Sequence, residues 1–164
     1  NASQVDPSEQ QVEELPISLG RLLDRVYRRL WEREVRRQLM APEDASDWWS
    51  RTARLAVNTD GHRPRFGSDD AMQVLHDIRV ITRLLSLGVL DGEKLREVLK
   101  FRTTLTKAYF AATRLRALIE TGDMDEATVA VQKMTEEFRL LLRQVLIDLT
   151  SIDVSTVFSE RSVQ

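Results

Sequence analysis

The sequence predicts an all-α fold, an antiparallel helical bundle of about five helices built around a long helical hairpin over residues 91–150. Apolar residues recur at steps of three and four through most of the chain, which is the period of an amphipathic helix. The six glycines and four prolines lie mostly between these periodic segments. A length of 164 residues fits one domain. We therefore predict an acidic lead-in over residues 1–16, a helical domain over 17–150 and a C-terminal tail over 151–164.

The composition narrows the class of protein. Charged residues make up 30% of the chain and apolar residues 42%, a balance typical of a folded domain. Because there is no cysteine, disulfides, thiolate catalysis and cysteine-ligated metals are excluded. The apolar runs are too short for a membrane span, so none is predicted in this chain. The sequence does not decide the compartment, and the cytoplasm is slightly favoured. A start at Asn1 rather than methionine is compatible with processing or with a piece of a longer protein.

The first long helix is expected from about Ile17 to Met40. By the helical period, its apolar side chains share an arc of about 140° that is expected to face the core. These side chains are Leu19, Leu22, Leu23, Val26, Tyr27 and Leu30. Arginines occupy the opposite side: Arg21, Arg25, Arg28, Arg29 and Arg36. Beyond Trp31 the apolar positions move to a new side, so the helix is expected to bend or to change partners there.

Two shorter segments follow. A proline and two acids after Ala41 are typical of a helix start and predict a helix up to about Val57, which holds Trp48 and Trp49. The stretch from residue 58 to residue 67 contains two glycines and a proline, and we expect an irregular connection there.

A third long helix is expected over residues 69–87. Ser68, followed by two aspartates, is the predicted N-cap, and Gly88 is the predicted end. The apolar stripe of this helix contains Val74, Leu75, Ile78, Ile81 and Leu85.

The hairpin is predicted from adjacent stop and start signals. Gly122 supplies the left-handed residue that ends a helix, and Asp123 with Glu126 has the spacing of a capping box. Asp91 is a candidate N-cap for the first limb. The stripe of the first limb contains Leu95, Val98, Leu99, Leu105, Tyr109, Ala112 and Ile119. The stripe of the second contains Val131, Met134, Phe138, Leu141, Leu142, Val145 and Leu149.

A second apolar line follows the second limb through Val129, Leu140 and Ile147. Either this limb is central, with neighbours on two sides, or the line is exposed and a partner covers it. The tail after it is weakly patterned and is expected to be extended or frayed, docked through Val157 and Phe158.

The sequence offers few groups for catalysis. His62 and His76 are its only histidines, and both are expected at the surface. No metal-binding histidine pair, phosphate-binding loop, nucleophile elbow or dinucleotide fingerprint is present. We expect neither an enzyme nor a site for a cofactor or a metal.

The leading functional hypothesis is a non-catalytic protein–protein interaction or assembly module, which binds another protein or copies of itself. Trp48 or Trp49 is a candidate anchor, because adjacent helical residues point about 100° apart and cannot both enter the same part of the core. The line through Val129, Leu140 and Ile147 is the second candidate contact surface.

A helical sensor domain for a small anionic ligand is the first alternative. Arg102, Tyr109 and Arg116 are seven residues apart on the predicted first limb, with both arginines inside its apolar arc. A buried arginine needs an anionic partner. That partner is either a ligand or a carboxylate of the chain such as Asp77 or Asp148.

A small nucleic-acid-binding subunit is the second alternative. One basic strip contains Arg21, Arg25 and Arg29, and a second contains Arg96, Lys100, Lys107 and Arg114. Such strips can follow a phosphate backbone or an anionic membrane surface. Acidic residues at helical spacing and the scarcity of nearby aromatics favour an ordinary solvated helix face instead.

Overall fold

The computed structural model describes residues 18–58, 64–93 and 97–159, which are mostly helical and include a small three-stranded sheet. The helices are α1 (Leu19–Arg36), α2 (Pro42–Asn58), α3 (Ser68–Leu75), α4 (Ile78–Ser86), α5 (Thr104–Glu120), α6 (Met124–Gln132), α7 (Glu136–Leu149) and α8 (Ser155–Phe158). The strands are β1 (Arg65–Gly67), β2 (Leu90–Glu93) and β3 (Val98–Phe101). The prediction of a mostly helical chain is confirmed, the sheet was not predicted, and the acidic lead-in lies outside the described residues.

The sheet replaces the start of the predicted first limb. Strand β3 is central and pairs antiparallel with β1 and with β2. Leu99 and Phe101 are buried while Val98 and Lys100 are half-buried, which is the two-residue period of a strand. Asp91 therefore lies in β2 and caps no helix. The predicted irregular connection is also wrong at residues 65–67, which form β1.

Two of the predicted long helices are interrupted. The third helix breaks at His76, whose φ of 59° is left-handed, and Asp77 caps α4 by accepting a hydrogen bond from the Arg79 amide at 2.9 Å. Ser68 is the first residue of α3, not its cap. The second limb of the hairpin breaks after Gln132, and Thr135 caps α7 by accepting from the Phe138 amide at 3.3 Å.

In the turn that joins α5 to α6, Gly122 is the left-handed residue that ends the helix, as predicted. This glycine has a φ of 84°, and its amide donates to the Ile119 carbonyl at 3.1 Å. The Asp123 amide donates to the Leu118 carbonyl at 2.8 Å, which completes the Schellman pattern. The predicted capping box is wrong, because Asp123 makes no side-chain cap and its carboxylate accepts from the Thr121 hydroxyl instead.

Helix α5 is the centre of the core. Ten of its residues are buried, and Tyr109 and Phe110 have no exposed surface. Helices α1, α2 and α7 pack around it. The central helix therefore belongs to the first limb of the predicted hairpin and not to the second.

The C-terminal tail docks as predicted, with Val157 only 1% exposed and Phe158 packed against the core. The prediction of an extended or frayed tail is wrong at residues 155–158, which form the short helix α8 against α6.

Candidate partner-binding surface

The outer face of α1 exposes apolar side chains in helical register. Leu19, Leu22 and Val26 are 38%, 46% and 50% exposed. Their neighbours Leu23 and Tyr27 turn inward and pack against the core. The predicted apolar arc of α1 is therefore covered on one half only. The width of the arc is a signal in the sequence for this result, because a helix with few neighbours cannot bury an apolar arc of about 140° completely.

Arg25, Arg29 and Arg33 border these apolar side chains at helical spacing, so the prediction that the arginines lie opposite the apolar arc is wrong for this half of the arc. Arg21, Arg25, Arg29 and Arg33 follow one another at four-residue steps, and all are exposed. Like charges at this spacing repel by a few tenths of a kcal/mol per pair. Within the described part of the chain, Arg25, Arg29 and Arg33 make no ion pair. We call Leu19, Leu22 and Val26 with Arg25, Arg29 and Arg33 the α1 outer face.

The inner side of α1 is fixed by a polar network. The Tyr109 hydroxyl donates to Asp24 Oδ1 at 2.6 Å, and the Arg28 Nε–H donates to the two Asp24 oxygens at 2.9 and 3.0 Å. Burial, and then the neighbouring Asp24 carboxylate, raise the pKa of Tyr109 well above its ordinary value. The hydroxyl therefore stays protonated and acts as a donor that holds α1 on α5.

Two of the three residues proposed for an anion sensor, Tyr109 and Arg116, interact electrostatically, and each is engaged by a carboxylate of the chain. Tyr109 is bound to Asp24, and Arg116 pairs with Glu120 at 3.0 Å. Arg102 is exposed and precedes α5. The suggested carboxylate partners are also engaged elsewhere. Asp77 pairs with Arg79, and Asp148 accepts from the Gly20 amide at 2.8 Å.

The two tryptophans of α2 differ in accessibility. Trp48 lies in the core and is 6% exposed, which argues against it as an anchor for a partner. Trp49 is half-buried and contacts Trp31, Tyr109 and Phe110 through its ring. It also lines a cleft of about 320 Å³ between α1 and α2, so its edge is the one that a partner could reach.

The second apolar line is exposed but not continuous. Val129, Leu140 and Ile147 are 49%, 64% and 46% exposed. Val129 lies on α6, while Leu140 and Ile147 lie on α7, beyond the helix break at residues 133–135. Only the α7 pair therefore shares one helix face.

The second basic strip does not lie on one helix. Lys100 is in β3 and pairs with Glu93, while Lys107 is 8% exposed with its Nζ 5.2 Å from the Phe138 ring centre. Arg114 pairs with Glu126 at 3.3 Å. Arg96, like His62, lies outside the described residues. The prediction of a single helix face is therefore wrong for Lys100, which lies on a strand while Lys107 and Arg114 lie on α5.

Within the described ranges, no cluster of three or more acidic or histidine side chains could hold a metal ion. None of the described helices combines the length and the apolar character of a membrane span. Comparison of the chain with models of known families, with curated proteins and with solved structures gives no significant match.

Proposed function

We propose that this protein is a non-catalytic docking module whose α1 outer face binds an acidic amphipathic helix of another protein. The observation that carries the proposal is the combination of exposed apolar side chains with an arginine series on one helix. Leu19, Leu22 and Val26 offer the i, i+3, i+7 spacing that an amphipathic partner helix can match.

The charge of this face selects the partner. A second copy of the same face would bring Arg25, Arg29 and Arg33 against the same arginines, and that repulsion opposes self-pairing. An acidic partner would instead relieve the repulsion along α1 and supply carboxylates for the guanidinium groups. Complementary charge of this kind also increases the rate of association.

A pair of synthetic helical peptides tests the proposal. Both carry leucines at i, i+3 and i+7, and the intervening positions are glutamate in one peptide and lysine in the other. Fluorescence anisotropy at low salt should show binding of the glutamate peptide at least tenfold tighter than binding of the lysine peptide. The difference should shrink in 0.5 M salt, because exposed charges are screened at that ionic strength.

Two surface variants separate the apolar and the charged contributions of the α1 outer face to peptide binding. Leu22→Gln with Val26→Gln removes the apolar contacts, and Arg25→Gln with Arg29→Gln and Arg33→Gln removes the charges. Each should weaken binding of the glutamate peptide at least tenfold. Because all five side chains are exposed, the free energy of unfolding should change by only a few tenths of a kcal/mol per substitution.

Ile78→Gln is the matched control for the apolar variant, since Ile78 is 60% exposed on α4, which contributes no residue to this face. It should leave peptide binding unchanged. Equal binding of the two peptides, or full binding by both α1 variants, would refute the proposal.

A further inference from the structure

A further cleft lies between α2, α5 and α6. It is an open cleft of about 710 Å³. That volume is in the range of small-molecule binding sites. None of its lining residues belongs to the α1 outer face, so the site is independent of the function proposed above.

The floor of the cleft is apolar and its rim is charged. Leu118 and Met134 lie at the floor and are 3% and 6% exposed. Three cationic side chains line the cleft, Arg54 from α2, Arg114 from α5 and Lys133 at the end of α6. Glu126 is the single carboxylate among the lining residues, so the cleft carries an excess of positive charge.

Arg114 is the least exposed of the three cations. Its side chain is 21% exposed, and one of its terminal nitrogens lies 3.3 Å from Glu126 Oε1. The Glu126 side chain is 62% exposed, so this ion pair is exposed on the carboxylate side. Exposed ion pairs of this kind are weak, and an incoming anion could replace Glu126 as the partner of Arg114.

We infer that this cleft binds an amphiphilic anion, a molecule with a carboxylate or phosphate group on an apolar chain or ring. The anionic group would contact Arg114, with Arg54 and Lys133 beside it, and the apolar part would cover Leu118 and Met134. The charges select an anion, and the apolar floor selects against small inorganic ions. Val129, which is 49% exposed, would contact the apolar part at the mouth of the cleft.

Four probes test the ligand class: octanoate, octyl phosphate, octylammonium and acetate. Each is titrated below its micelle-forming concentration, and the amide signals of the isotopically labelled protein are followed by NMR. Octanoate or octyl phosphate should shift signals of α5 and α6 around the cleft and bind at least tenfold tighter than octylammonium and acetate. The stronger of the two anions identifies the head group. Equal binding of octanoate and octylammonium would overturn the inference.

Cleft variants test the site. Arg114→Gln should weaken octanoate binding about tenfold or more, the loss expected for a charge-assisted hydrogen bond. Glu126→Gln should tighten binding severalfold, because it removes the carboxylate that competes for Arg114. A purely structural role of the Arg114 and Glu126 pair would not produce opposite effects of this kind.

Further variants keep the test decisive if Arg114→Gln folds poorly. Arg54→Gln and Lys133→Gln change exposed side chains and should each weaken octanoate binding severalfold. Arg143→Gln is the control, since Arg143 is an exposed cation of α7 that does not line the cleft. If the control weakens binding as much as the cleft variants do, or if Glu126→Gln has no effect, the site is wrong.

Discussion

Asp24 is the polar residue that connects α1 to the core. Its carboxylate accepts a hydrogen bond from the buried Tyr109 hydroxyl and a bifurcated one from the Nε–H of Arg28. Arg28 in turn lies 5.5 Å from the ring centre of Trp49 on α2. One carboxylate therefore links three helices, and it does so on the side of α1 opposite to the proposed contact face.

Tyr109→Phe tests this link through the pH dependence of stability. At pH 7 the variant should lose about 1–3 kcal/mol of unfolding free energy, since it removes a buried hydrogen bond to a charged group. The folded state raises the pKa of Tyr109, so its contribution is complete below the unfolded value of about 10 and is lost as the pH rises above it. Urea unfolding between pH 7 and 11 should therefore show the difference between wild type and variant shrinking above pH 10.

Tyr27 serves as the comparison within the same experiment, because its hydroxyl pairs with the Thr106 hydroxyl at 2.7 Å and not with a carboxylate. Tyr27→Phe should cost less stability at pH 7 than Tyr109→Phe. A difference between wild type and Tyr109→Phe that stays constant up to pH 11 would contradict this account of Tyr109.

At the scale of the elements, α1 approaches α7 closely because residue 20 has no side chain. A Cβ at Gly20 would lie 2.6 Å from the Asp148 Cβ and 2.7 Å from the Val145 carbonyl oxygen. The same approach allows the Gly20 amide to donate to Asp148 at 2.8 Å. The glycine thus sets the distance between the two helices.

Gly20→Ala should destabilise the protein by about 1–3 kcal/mol, the cost of overpacking a tight contact. Alanine is the better helix former by up to about 1 kcal/mol, so helix propensity alone predicts the opposite sign. The sign of the change in unfolding free energy, measured by chemical denaturation, distinguishes overpacking from helix propensity. Gln144→Ala on α7 is a suitable control, because Gln144 is exposed and its amide donates to Asp148 Oδ1, not to the Oδ2 that accepts from the Gly20 amide. A more stable Gly20→Ala variant would rule out the close approach.

The elements predicted from sequence were those with a local cause. The Gly122 turn depends on one glycine and its neighbours, and α1 and α2 depend on regular apolar spacing and a proline start. The breaks at His76 and at residues 133–135 have no glycine or proline to mark them. Val98, Leu99 and Phe101 fit a helical stripe as well as a strand, because a run of four residues cannot distinguish the two periods. Pairing with β1 and β2 decides in favour of the strand.

At the scale of the whole molecule, the exposed apolar surface is divided between faces of different charge. The charged side chains of the α1 outer face are arginines, and the exposed Glu32 lies at its edge. The α7 pair, Leu140 and Ile147, has Glu136 and Arg143 on the same helix, so neither sign dominates there. The two faces therefore favour different partners, an acidic chain for α1 and a surface of mixed charge for α7.

The sequence could identify these apolar and basic residues but not which of them the fold would cover. Leu19, Leu22 and Val26 have the same periodicity as Leu23 and Tyr27, and only the positions of α5 and α7 separate the two halves of the arc. The cleft was missed for a similar reason. Arg54, Arg114 and Lys133 come from three helices, and no spacing in the sequence relates them.

Self-association should use the α7 pair and should be weak. Two apolar side chains on one helix cover much less than the roughly 800 Å² per partner of a stable interface. Sedimentation velocity across a concentration series should show dimers only near the top of the series, and Ile147→Asp should abolish them because it places a carboxylate opposite Leu140 of the second copy. The same variant should still bind the glutamate peptide through α1. The opposite result is that Ile147→Asp leaves the dimers intact while Leu22→Gln with Val26→Gln removes them. In that case α1 is the self-association surface, and its arginines pair with carboxylates of the second copy.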